Sequence, residues 1–149
     1  MTHITTSTDI TLVTLQNCPS SLTMIHNIFD KAAQLDIDID MISLAPSQSD
    51  MSTLSFTMSD HDLSKLLTFS SHLHNELAIK TVISSGNSKI MVTDESMKNN
   101  PGFACKIFGI AAKVNADIRM ITTAETEISL LVPTADYETT ISAIKAAFI

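Results

Sequence analysis

The chain has 149 residues, of which 44% are hydrophobic, 5% aromatic and 17% charged, with no Trp. That length holds one mid-sized domain or two small ones of about 70 residues, whose thin cores would be built from aliphatic side chains, Met and Ala. A formal charge of −7, with the Lys and Arg scattered from Lys31 to Lys145, excludes nucleic acid and anionic membranes as partners. No apolar run approaches the ~20 residues of a spanning helix, and the start MTHITTSTD has no basic segment followed by an apolar one, so the chain reads as cytoplasmic. Cys18 and Cys105 belong to no CxxC pair and are expected to be buried or half-buried free thiols.

In chain order, His3 to Ser7 is a β-branched stretch, and Ile10 to Leu15 alternates as a strand does. Leu22, Ile25, Ile28, Phe29, Ala32 and Leu35 recur at helical spacing behind Ser20 and Ser21, both suited to N-capping. Ile37, Ile39 and Met41 alternate with Asp36, Asp38 and Asp40, which predicts a strand with one buried face. Leu54 to Met58 returns across a turn at Pro46 to Asp50. Ser59-Asp60-His61-Asp62 reads as a capping box opening a helix with Leu63, Leu66, Leu67 and Leu73 inward. Ala78 to Ser84 is the next strand, followed by a turn at Gly86-Asn87 and a strand over Ile90 to Thr93. A helix capped by Asn100 with Pro101 at its first position comes next. Strands at Asp117 to Thr122 and Glu127 to Val132 precede a helix from Thr134 with Tyr137, Ile141, Ile144 and Phe148 inward.

The chain also repeats itself. At an offset of 79, Ile28-Phe29 falls on Ile107-Phe108, Ala32-Ala33 on Ala111-Ala112, and Met41-Ile42 on Met120-Ile121. Further on, Leu54-Ser55-Phe56 matches Ile128-Ser129-Leu130, the first copy carrying five more residues in its hairpin. The expected fold is α+β: two ferredoxin-like βαββαβ domains in tandem, each with its helices on one face of an antiparallel sheet. The second copy is one strand short, and the unused N-terminal stretch supplies it. The expected domains are therefore residues 9–85, nested inside residues 86–149 completed by a strand over residues 2–8.

Pro101-Gly102-Phe103-Ala104-Cys105-Lys106-Ile107-Phe108, then Ala116-Asp117-Ile118-Arg119-Met120-Ile121-Thr122, resembles the second ACT domain of aspartate kinases. Asp38-Ile39-Asp40-Met41-Ile42-Ser43 and Thr53-Leu54-Ser55-Phe56-Thr57 resemble the first. The similarity covers essentially the whole chain, and the family's N-terminal kinase domain has no counterpart in it. The resemblance implies a non-enzymatic regulatory module, free of cofactors, that binds an amino acid of the lysine or threonine class. It also implies pairing into a homodimer and a kinase catalytic chain of that family as partner.

The effector position implied by the resemblance is a groove between a strand–helix loop and a neighbouring domain's second strand. In the first unit the loop residues are Ser20, Ser21, Leu22, Thr23 and Met24, and the strand residues are Asp38, Met41 and Ile42. In the second unit they are Asn100, Pro101, Gly102 and Phe103, with Asp117, Met120, Ile121, Thr122, Thr123 and Glu125. A helix N-terminus offers unpaired N–H groups to an α-carboxylate, and carboxylates take the ammonium. The sequence departs from the family in the first loop, where Ser20 stands for an Asp and Leu22-Thr23 for Pro-Gly. Two functions stay open: effector binding, or a dimerisation module with no ligand. Catalysis has no support, because Gln16 to Ser21 holds no Arg for a phosphate and no P-loop, GxGxxG or GxSxG motif occurs.

Overall fold

The elements of this computed structural model, which describes residues 1–148, are β1 (His3–Pro19), α1 (Leu22–Gln34), β2 (Ile42–Pro46), β3 (Met51–Ser59) and α2 (Leu63–Leu77). They continue with β4 (Lys80–Thr93), α3 (Gly102–Lys113), β5 (Met120–Ala124), β6 (Glu127–Pro133) and α4 (Thr134–Phe148). The chain divides into a first unit, Asp9–Ser85, and a second unit made of Met1–Thr8 together with the chain from Gly86 onward. Each is a ferredoxin-like α+β layer pair, and the first interrupts the second in sequence. No helix among the described residues is long and apolar enough to cross a membrane.

In the first unit the strand order is β2-β3-β1-β4. Strand β1 runs antiparallel to β3, from Ile10 opposite Ser59 to Leu15 opposite Leu54, and the register then slips before Cys18 meets Ser52. Asn17, at φ 59, marks the slip. A bulge inserts one residue and so moves the following side chain to the other face. That is how Val13, Leu15 and Cys18 all reach one core despite the odd spacing. Helices α1 and α2 close this core with Ile28 and Ala32, and with Leu66, Phe69 and Leu73. Phe56 lies edge-to-face with both Phe29 and Phe69, at 6.0 and 6.1 Å between centroids.

In the second unit the order is β1-β4-β6-β5. Ile90 opposes Leu130 and Val92 opposes Ile128 across β4 and β6. These four side chains, with Val132, pack under Phe103 and Ile107 of α3 and Ile141 and Ile144 of α4. Ile4, from the N-terminal stretch, packs against the same cluster.

Several local expectations are corrected. Two pairs of stretches expected as separate strands are continuous: residues 3–7 and 10–15 lie in the single strand β1, and residues 80–84 and 90–93 lie in β4, which starts two residues later than expected because Ala78 is the left-handed C-cap of α2. Gly86-Asn87 is consequently not a turn. Gly86 sits inside β4 at φ 71, with open space where a Cβ would be, so an L side chain there costs only backbone strain of roughly 1–2 kcal/mol.

Residues 36–41 keep the expected alternation, with Ile37 and Met41 buried and Asp38 and Asp40 exposed, but the strand proper begins at Ile42. Asp36 takes a left-handed turn (φ 57) out of α1, and regular pairing is reached only after the Asp40 N–H donates to Thr57 O at 3.1 Å. The same delay shifts the second-unit strand from Asp117 to Met120, because the Asp117 N–H donates instead to the Asp136 carboxylate at 3.0 Å. Ser59 caps a single 3-10 turn, Asp60–Asp62, rather than α2 itself. Leu67 is two-thirds exposed, and Phe69 takes the inward place. The N-cap of α3 is Pro101, one residue later than Asn100, and Cys105 is exposed where a half-buried thiol was expected.

Candidate functional site

Where β4 ends in the second unit, the chain makes a single 3-10 turn, Glu95–Met97, before α3 begins. Asp94 organises that turn. Its Oδ1 accepts from the Ser96 N–H at 2.8 Å, its Oδ2 accepts from the Thr2 hydroxyl, and its own N–H donates to Thr126 O at 3.0 Å in the β5–β6 hairpin. Asp94 thus ties together the N-terminal residues and the loop through its carboxylate, and the hairpin through its backbone N–H. The hydrogen bonds from Thr2 and Ser96 hold its pKa down at about 2, so it is charged throughout the neutral range.

Beyond the turn, Asn99 adopts φ 58 and Asn100 folds back over the start of α3. Its Oδ1 accepts from the Gly102 N–H at 3.3 Å and its carbonyl from the Phe103 N–H at 3.2 Å, which satisfies donors that Pro101, the N-cap, has no side chain to reach.

Two clefts flank this helix start. One, of about 200 Å³, is lined by Met97, Asn100, Phe103 and Ala104 on the loop and helix side, and by Thr123, Ala124, Glu125 and Ile128 on the strand side. Of this lining, Glu125 is ion-paired to Lys98, with Lys98 Nζ 3.5 Å from Glu125 Oε2 and both ends well exposed. The second cleft, of about 430 Å³, is lined by Thr2, Asp94, Ser96, Asn100, Gly102, Phe103, Lys106 and Phe148. Phe148 stacks on Phe103 at 5.2 Å, and Lys106 Nζ sits 4.2 Å above the Phe148 ring.

Of the sequence-expected residues, the structure therefore brings Asn100, Phe103, Thr123 and Glu125 into one cleft, while Gly102 lines the other. Pro101 supplies the cap position between them. Asp117 is held away in an ion pair with Arg119 at 2.8 Å, Met120 is buried, and Ile121 and Thr122 lie along β5 outside both clefts. The first-unit residues are not gathered. Ser21 caps α1, its Oγ accepting from the Met24 N–H at 3.2 Å, and the Ser20 N–H donates to Asp50 O at 2.7 Å. Leu22, Thr23 and Asp38 are exposed, Met41 is buried under Thr57, and Ile42 faces outward on β2. The cleft of the first unit, of about 510 Å³, is lined by Asn17, Ser47, Gln48, Ser49 and Met51 instead.

Sequence reading missed Thr2, Asp94, Lys106 and Phe148. An Asp directly after a strand with a Ser two residues on is a turn-capping signature and could have marked Asp94. The long-range partners carry no local signal.

The ACT domain family matches residues 90–148. An aspartokinase from Bacillus sp. (strain MGA3) is 29% identical over 141 residues, covering 94% of this chain and 34% of that protein, so the chain spans about a third of the length of this curated relative. The ligand-free regulatory subunit of aspartate kinase from Thermus thermophilus superposes with a TM-score of 0.86 at 21% identity, covering 98% of this chain and 97% of that one. Aspartokinase III of E. coli, solved in complex with lysine and aspartate, gives a TM-score of 0.71 at 20% identity over 98% of this chain and 33% of its own. Residues 90–148 therefore match the ACT domain family, and over nearly its whole length the chain is similar to the regulatory part of aspartate kinases.

Proposed function

We propose that this chain is an amino-acid-binding allosteric module, and that the 200 Å³ cleft of the second unit is an effector position. The observation that carries the reading is the convergence of Asn100 and Phe103 with Thr123 and Glu125 on one small cleft. An amide, a hydroxyl and a carboxylate over an apolar floor of Phe103, Ala104 and Ile128 suit a ligand with a polar head, a cationic group and an aliphatic stem. That is the chemistry of the lysine and threonine class, and a lysine-bound aspartokinase shares the fold. The regulated partner is an aspartate kinase catalytic domain, and the module works as a homodimer. Binding shifts the balance between two arrangements by differential affinity for them.

A thermal-melt screen of the full chain against the proteinogenic amino acids tests this. A ligand at 100 times its dissociation constant adds about 2.7 kcal/mol. Glu125→Gln and Asn100→Ala are expected to abolish the shift; a screen in which no amino acid moves the transition defeats the reading. The second reading, a ligand-free dimerisation module, is favoured by β2, whose Ile42 and Leu44 are each about half exposed on a strand with a partner on one side only. It predicts self-association unaffected by any amino acid, measured by sedimentation.

A further inference from the structure

The first eight residues are fastened to the second unit at few points. Within that unit β1 closes the strand order β1-β4-β6-β5, and its register with β3 begins only at Ile10. His3 and Thr5 to Thr8 are exposed, while Ile4 packs against the core of the unit. The other fastening is the Thr2 hydroxyl, which donates to Asp94 Oδ2. A segment with so little buried apolar surface, at the end of a sheet, opens well before the whole domain unfolds. From Asp94 a chain of hydrogen bonds runs on to the effector position. Its Oδ1 accepts from the Ser96 N–H at 2.8 Å and its carbonyl from the Met97 N–H at 3.1 Å; the Met97 carbonyl accepts from the Asn100 N–H at 3.0 Å. Met97 and Asn100 belong to the loop wall of the 200 Å³ cleft, and the Asp94 N–H reaches Thr126 O at 3.0 Å, next to Glu125 of the strand wall. Thr2 and Ser96 grip opposite oxygens of one carboxylate, so they fix its rotation jointly. Loss of the Thr2 donor frees the carboxylate to turn and weakens the bond that shapes the 3-10 turn.

We infer that residues 2–8 are a strap that gates this cleft: docking of the strap and closure of the Asp94 turn are one equilibrium, with Asp94 as the shared catch. When the strap leaves, the turn loosens, and Met97 and Asn100 lose their fixed place opposite Glu125. By linkage, anything that holds the loop wall closed also retains the strap, so occupancy of the cleft is read out at the N-terminal strand. The gating stands on the geometry of the unit alone; only the choice of ligand rests on the function proposed above.

Hydrogen exchange followed by ¹⁵N NMR on the full chain tests this, with Thr2→Val and Ile4→Ala as variants. Ile4→Ala is the decisive one, because Ile4 is no member of the hydrogen-bond chain and loosens the strap from its core side. The expected result is exchange at least ~10-fold faster at the protected amides of residues 3–8 and, by the same factor, at Ser96, Met97 and Asn100. Leu130, fully buried in β6, should keep its rate. A turn that holds its original rates while the strap opens overturns the proposal, and so do strap rates indifferent to both variants. A rise shared equally by Leu130 also overturns it, since the strap would then belong to global unfolding. Added L-lysine or L-threonine is expected to slow strap and turn together. Slowing at the turn with strap rates unchanged overturns the strap and leaves the effector reading standing. Variants that behave as expected, in a chain whose exchange no proteinogenic amino acid alters, support the strap and defeat the effector reading.

Discussion

The two units share a fold and a repeat, yet they differ at the place where each first helix begins. In the first unit Ser21 caps α1 directly and the loop residues point into solvent. In the second unit the chain spends an extra 3-10 turn, fixed by Asp94, before α3, and Ser96 and Met97 of that turn line the two clefts. The cores differ as well: three interlocked phenylalanines in the first, mainly aliphatic side chains under a Phe103–Phe148 stack in the second. The clefts of the second copy flank the start of its first helix, whereas that of the first copy lies at the turn between β2 and β3, so a duplicated domain can keep its scaffold while its loops diverge.

The largest expected break in that contrast is Phe56→Ala, which removes the side chain shared by both aromatic contacts of the first core. It should cost about 3–5 kcal/mol in urea unfolding. The repeat-equivalent change Leu130→Ala should cost about 2–5 kcal/mol, and a value above that of Phe56→Ala would refute the ranking of the two cores. Ser21→Ala removes the side-chain bond at the α1 cap and should cost about 1 kcal/mol, while Asn100→Ala should cost less, since Asn100 precedes the N-cap of α3, which is Pro101.

A further contrast is one of pH. Asp94 has a depressed folded pKa of about 2, so its contribution to stability is present above the ordinary carboxylate range near pH 3.9 and fades as pH falls towards 2. Asp94→Asn should flatten that acid limb of a melting-temperature profile and leave the profile's shape above pH 5 unchanged. The smallest effect belongs to Lys98→Ala. Its exposed pair with Glu125 should be worth under ~0.5 kcal/mol, and any loss should vanish in high salt.

Thiol labelling separates the two units independently of stability. Cys18 is fully buried, and burial pushes its thiol pKa up, against a smaller opposing effect of the Ser52 hydrogen bond. Cys105 is exposed on α3. The expected outcome is prompt modification of Cys105 and modification of Cys18 only as the chain unfolds.

The sequence by itself determined the duplicated βαββαβ plan, because hydrophobic period reports which face of an element is buried, and that information is local. Asn100, Phe103, Thr123 and Glu125 were marked by the resemblance to the aspartate kinase ACT domains. The sequence could not reveal that residues 3–19 and 80–93 are single strands: left-handed residues such as Asp9 and Gly86 look like turns until neighbouring strands hold them in a ladder. Nor could it join Thr2 to Asp94, or Lys106 to Phe148, across sequence separations that only folding closes. Tertiary structure decided those contacts, since charge complementarity within a cleft depends on distances in space, and local patterning carries no record of them.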